Sequence, residues 1–138
     1  MRITRVYRFP ASHRLHTDQL SEEFNFQLYG KCNNPYGHGH NYALHVSVSG
    51  DIDEATGRIV DLGVLDRYVY ERVIDAFDHK YMNADIEDFK TTVPTTENVA
   101  IAVARRLRDD WKHSFRNTRL DGILIEETPR NTFELRMA

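Results

Sequence analysis

The sequence holds a single cysteine in 138 residues, so no internal disulfide can form, and nothing else points to an oxidising compartment. No run approaches the roughly 18 apolar residues that cross a bilayer. Residues 1–14 lack a continuous apolar segment, which leaves no expectation of a secretory signal. An excess of positive charge is missing too. The 18 Lys and Arg face 21 Asp and Glu, a formal net charge of -3, which argues against a nucleic-acid binder. Prolines number only four and glycines seven, with no repeat or low-complexity tract, so no linker divides the chain. The expectation is one cytoplasmic domain over residues 1–138.

What is present falls into two periodicities. Ile3, Tyr7, Phe9 and Ala11 share one parity and predict a half-buried strand, with Pro10 marking an edge or an end. Tyr42, Leu44, Val46 and Val48 alternate with Asn41, His45, Ser47 and Ser49 in a second strand that starts at His38 and stops at Gly50-Asp51. Leu62, Leu65, Val69, Val73, Ala76 and Phe77 then recur at three and four, predicting an amphipathic helix over 62–77. A second helix is predicted over 97–111, with Val99, Val103, Leu107 and Trp111 on one stripe and Thr95 or Thr96 as its cap. Period two returns in Ile123, Ile125 and Glu127, and again in Phe133, Leu135 and Met137 beyond a turn. Two strands, two helices and two strands predict an α+β layer: a four-stranded antiparallel sheet with both helices on one face.

His38-Gly39-His40 is the sharpest local signal. Side chains two apart on a strand point the same way, so both imidazoles can reach one ion, and Gly39 is expected to permit close backbone approach. Three neutral imidazoles suit zinc and leave a coordination position open. His13, on the parity of Phe9 and Ala11 at the first strand's end, is the candidate third ligand; the bland alternative is a buried, hydrogen-bonded histidine. His16, His45 and His113 carry no site expectation.

Three further groups have two readings each. Cys32 is set six residues before His38 by a turn-rich spacer. It is either a fourth ligand closing a structural zinc site or a free thiol beside an open one, where a neighbouring cation would ease loss of its proton. Asp78-His79 is either a proton shuttle or a helix C-terminal histidine satisfying free carbonyls. Glu127 puts a carboxylate on an apolar parity. It needs either an Arg partner, with Arg130 and Arg136 near in sequence, or a ligand edge carrying two N–H donors.

Several separated blocks together resemble the 6-pyruvoyltetrahydropterin synthase family. They are Phe9-Pro10-Ala11-Ser12-His13-Arg14-Leu15, the run from Gly30-Lys31-Cys32-Asn33-Asn34-Pro35 through His38-Gly39-His40-Asn41-Tyr42, Phe77-Asp78-His79-Lys80, Pro94-Thr95-Thr96-Glu97-Asn98 and Glu126-Glu127-Thr128. Tyr36 stands where the motif more usually has Asn, and Phe77 where Leu is usual. The resemblance implies zinc held by His13, His38 and His40. It makes Cys32 the catalytic base, with Asp78 and His79 as a proton-transfer pair, and Glu127 the pterin anchor, helped by Thr95, Thr96 and Glu97. It implies the tunnelling fold (T-fold) and homo-oligomers, trimers whose sheets join in a barrel or hexamers, with active sites between subunits. The implied reaction eliminates triphosphate from 7,8-dihydroneopterin triphosphate to give 6-pyruvoyltetrahydropterin, a step of tetrahydrobiopterin biosynthesis. The alternative within the resemblance is 6-carboxytetrahydropterin synthase of queuosine biosynthesis, which acts on the same substrate and releases acetaldehyde and triphosphate. A non-catalytic structural zinc module, with Cys32 as fourth ligand, is the reading from another class.

Overall fold

The computed structural model describes residues 1–137. Strand β1 (Arg2–His13) runs antiparallel to β2 (His38–Gly50), and helix α1 (Glu22–Tyr29) and a 3-10 turn (Gly30–Asn33) lie in the connection between them. After β2 come α2 (Leu62–Val69), a π turn (Tyr70–Ile74), α3 (Asp75–Phe77), β3 (Lys80–Tyr81) and α4 (Met82–Asp85). The chain closes with α5 (Thr96–Arg108), α6 (Trp111–Ser114), β4 (Thr118–Thr128) and β5 (Asn131–Arg136). The sheet order is β3-β1-β2-β4-β5.

The α+β layer expected from the sequence is present, with one addition to the sheet. The four long strands pair antiparallel as anticipated, and the two-residue β3 joins β1 in parallel at Ala11 and Ser12 as a fifth strand. Two residues are too few to show a period, so no alternation announces this strand. Alternation decides which face is covered. Tyr7, Phe9, Ala11 and His13 on β1 and Tyr42, Leu44, Val46 and Val48 on β2 are all buried beneath the helices.

Asp61 caps α2, its carboxylate accepting from the Val64 N–H. The predicted 62–77 helix keeps its direction but widens into a π turn, and Leu65, Val69, Val73 and Phe77 still reach the core. Truncating a fully buried Leu65 to Ala should cost about 2–5 kcal/mol. Thr95 caps α5 through Asn98 N, and Val99, Val103 and Leu107 form the expected stripe. That helix ends at Arg108; Trp111 belongs to the separate α6 and packs with Tyr68 and Phe115.

Helix α1 has no counterpart in the sequence reading, and its burial explains why. Asn25 is its only buried residue, while Phe24, Phe26 and Leu28 face outward. The Asn25 amide accepts from Thr17 N and donates to the carbonyls of Thr17, Leu20 and Ser21. A polar side chain therefore holds this loop where an apolar stripe would normally do so.

Candidate metal and pterin site

The β1–β2 register places His13 opposite His38 and Ala11 opposite His40. All three imidazoles therefore share the helix-covered face, at the end of the sheet where the apolar core stops. His13 Nε2 lies 3.1 Å from His38 Nε2, and His40 Nε2 lies 3.1 Å from the same atom. Nitrogens bound at 2.0–2.1 Å around a tetrahedral zinc would stand about 3.3 Å apart. Both separations from His38 are therefore close to those of ligands that share one ion.

His13 is fully buried, and its Nδ1 lies 2.9 Å from the Pro94 carbonyl. Donation from Nδ1–H to that oxygen fixes the tautomer and leaves the Nε2 lone pair facing the cluster. Burial is the main cause that lowers the His13 pKa to about 4, so the ring is neutral and ready to ligate at ordinary pH. His38 is lowered as well, by burial first and then by His40. Beneath the cluster Tyr42 stacks on Phe9, with centroids 5.3 Å apart, and meets the His13 and His40 rings edge-on. The ligands therefore stand on a rigid aromatic floor.

The glycine that the loop requires is Gly37, not Gly39. At Gly37 (φ 75°) a Cβ would come within 2.9 Å of Tyr81 Cε1 and 3.0 Å of the His13 carbonyl oxygen. At Gly39 the nearest atom would be 3.6 Å away, an ordinary contact. The close approach needed to seat His38 is thus made at Gly37, two residues earlier than the sequence suggested.

Cys32 sits in the 3-10 turn, with its carbonyl accepting from Leu15 N at 2.7 Å. Its Sγ and ring nitrogens of His13 and His38 lie within 4.8 Å of one another. Burial pushes the thiol pKa up, and the Glu127 charge adds to this. The expected easing of its ionisation is therefore not supplied by the protein's own groups and would have to come from a bound cation.

Glu127 is buried, at 8% exposure, and among the described residues its charged neighbour is His40 and no Arg. Arg136 pairs with Glu134 instead. Thr96 Oγ1 donates to Glu127 Oε2 at 2.7 Å, and Oε1 lies 3.5 Å from His40 Nε2. Thr96 in turn accepts from Asn131 Nδ2 at 3.1 Å. Atoms of His13, His40 and Glu127 also fall within 4.8 Å of one another, so this carboxylate can face either a metal or a donor edge of a ligand. Thr95 serves as the α5 cap, and Glu97 is exposed in the first turn.

Asp78 and His79 stand apart from this cluster. His79 Nδ1 is 2.9 Å from Asp78 Oδ1, its side chain is 78% exposed, and its N–H donates to the Pro10 carbonyl. The groove it lines, with Pro10, Ser12 and Asn41, runs along the β1–β3 edge of the sheet and also includes His40. His79 also has φ 58°, a left-handed conformation unusual for a side chain with Cβ. The structure brings together His13, His38, His40, Cys32, Glu127 and Thr96 within one chain, and leaves Asp78 and His79 paired with each other at the β1–β3 edge of the sheet. Pro94 carries no site role in the sequence reading; its role as the orienting acceptor for His13 depends on a contact 81 residues away in sequence.

A sequence profile for 6-pyruvoyl tetrahydropterin synthase matches residues 2–138. The human 6-pyruvoyl tetrahydrobiopterin synthase is 48% identical over 101 residues, covering 73% of this chain and 70% of that protein. The Drosophila melanogaster protein of the same name is 38% identical over 134 residues, 97% of this chain and 78% of its own length. The solved structure of Caenorhabditis elegans 6-pyruvoyl tetrahydropterin synthase superposes with a TM-score of 0.90 at 40% identity, covering 100% of this chain and 96% of that one. The sequence motifs, the register of the histidines and these likenesses agree: the chain belongs to the 6-pyruvoyl tetrahydropterin synthase family.

Proposed function

We propose that this protein is a zinc-dependent 6-pyruvoyltetrahydropterin synthase that converts 7,8-dihydroneopterin triphosphate to 6-pyruvoyltetrahydropterin with elimination of triphosphate. The observation that carries the reading is the convergence of three imidazole Nε2 atoms beside a lone thiol in a chain of this family. His13, His38 and His40 would hold the zinc, which as a Lewis acid would acidify the C–H bonds beside the substrate's hydroxyls. Cys32 stands beside His38 as the group to take a carbon-bound proton. Loss of that proton lets the triphosphate leave with the electron pair of its C–O bond. The resulting enol tautomerises to one ketone and the terminal methyl. The other hydroxyl-bearing carbon becomes the second carbonyl as its two electrons and protons pass to the ring C=N bond, turning dihydropterin into tetrahydropterin, so no external oxidant or reductant enters. Glu127, held by Thr96, offers its remaining lone pairs to adjacent N–H donors of a pterin ring, with Thr95, Thr96 and Glu97 at the start of α5 framing that end.

The Asp78–His79 pair completes the proton path in this reading from a second copy of the chain. Its exposure at the sheet edge, where another copy could approach, supports a homo-oligomer, trimer or hexamer, with sites between subunits. A single domain over 1–138 in the cytoplasm completes the reading; no helix of the described residues is long and apolar enough to cross a membrane. The same site could serve a 6-carboxytetrahydropterin synthase, which would differ in its products. Incubation with 7,8-dihydroneopterin triphosphate and zinc, followed by mass spectrometry, distinguishes the pyruvoyl product from the carboxy product with acetaldehyde. Cys32→Ala should keep zinc and lose turnover; a variant as active as wild type would remove Cys32 from the role of base. Loss of zinc together with activity would favour the closed structural site, with Cys32 as a ligand.

A further inference from the structure

The triad has two flanks of opposite character. On the His40 side lies the Glu127 carboxylate, 3.5 Å from the ring. On the His38 side a groove of about 440 Å³ opens between α1 and the 34–38 turn, walled by Phe26, Lys31, Asn33, Pro35 and His38. That volume falls within the roughly 300–1,000 Å³ typical of ligand sites. Lys31 and Asn33 flank Cys32 in a 3-10 turn, where successive side chains point about 120° apart. The thiol can therefore face the histidines while its two neighbours border the groove. Lys31 is exposed and makes no ion pair among the described residues, unlike Arg5, Arg105 and Arg106, whose charges are matched by Asp66 and Asp88. Behind the groove wall a second cation, Arg14, commits only its Nε, to the Asn33 carbonyl at 3.1 Å.

A site with a carboxylate at one end, a metal-sized histidine cluster at its middle and an unmatched ammonium at the other end has a polarity. It fits a molecule with N–H donors at one end, hydroxyls in the middle and a polyanion at the other. Resting on the function proposed above, we infer that the groove between α1 and the 34–38 turn seats the substrate's triphosphate group. Lys31 is its cationic contact and sets the preference for the triphosphorylated substrate over its dephosphorylated form.

Zinc-loaded Cys32→Ala protein, slowed in turnover, serves for equilibrium binding of 7,8-dihydroneopterin triphosphate and of 7,8-dihydroneopterin. Adding Lys31→Ala should weaken the triphosphate ester about tenfold, the scale of one charge-assisted contact, and leave the dephosphorylated pterin and the zinc content unchanged. Lys31→Arg should hold the ester within about threefold of its original affinity. Equal weakening of both ligands, or of neither, would overturn the assignment of Lys31 while leaving the catalytic reading intact. Failure of both ligands to bind with Lys31 in place would overturn the catalytic reading and the inference with it.

Discussion

Replacing Thr96 with Val keeps the shape of the side chain and removes the hydroxyl that donates to Glu127 Oε2 at 2.7 Å. Thr96 is 2% exposed and Glu127 8%, so water is poorly placed to substitute. A hydrogen bond to a charged group contributes about 1.5–3 kcal/mol, and a buried acceptor left bare realises most of that loss. Asn131 Nδ2 also loses its acceptor, but its residue is exposed and solvent can take the contact. The control is Thr96→Ser, which keeps the hydroxyl and gives up one methyl, about 0.8 kcal/mol. Thr96→Val should therefore be less stable than Thr96→Ser by about 1–2 kcal/mol, or roughly 3–8 °C in Tm for a chain of this size. Urea titrations and thermal scans, run at one protein concentration because assembly contributes to apparent stability, read the difference directly. Equal stability of the two variants would show that the hydroxyl does not support the carboxylate.

Two further outcomes follow from groups outside the metal cluster. Asp66 receives Arg5 Nε and Nη2 at 2.9 and 2.8 Å and the Tyr7 hydroxyl at 2.8 Å, and the hydrogen bond from Arg5 is the main cause holding its carboxyl below the usual range. A depressed carboxylate stabilises the fold above its ordinary pKa of about 3.9 and loses that contribution as pH falls through the lower folded value. Wild type should exceed Asp66→Asn by about 1 kcal/mol at neutral pH, a modest figure because both side chains of the pair are partly exposed, and the gap in Tm should close below about pH 4. A gap unchanged down to pH 2 would count against the pairing. His79 at φ 58° should accept glycine with a Tm within about 2 °C of wild type or higher, whereas His79→Ala should be the less stable of the two. Both should lose pyruvoyl product by mass spectrometry, separating the backbone strain at this position from the chemistry of its imidazole.

Strand and helix order was legible because burial follows parity and the 3.6-residue stripe. Tyr42, Leu44, Val46 and Val48 all point inward as their alternation says, and Val99, Val103 and Leu107 line the covered face of α5. The His13–His38 pairing could be suspected from parity but not fixed, since a connection as long as 14–37 sets no register; the ladder itself does. Helix α1 was illegible because Asn25 holds it by four hydrogen bonds to nearby backbone, a device with no periodic trace. Residues that act through distant contacts were hidden for the same reason. Pro94 reaches His13, and Asn83 grips both backbone groups of Arg14 just beyond the end of β1. Glu127 stood out in the sequence as a misplaced charge, and its neighbours proved to be a threonine and a histidine in place of the arginine that composition offered.

Since the imidazoles of His13, His38 and His40 lie on the same side of the β1–β2 ladder as Phe9 and Tyr42, sliding one strand against the other by a single residue would turn its share of the ligands to the far surface and take its aromatic residues out of the core. Metal binding at the proposed site would thus be coupled to correct strand pairing. An ion captured here would act during folding as a proofreader of the ladder, rewarding the alignment in which the histidines meet and leaving slipped pairings without ligand energy. Chains that fold without metal should then show their disorder first at the loop end of this hairpin, around residues 11–13 and 38–40, while the opposite end of the same strands stays paired.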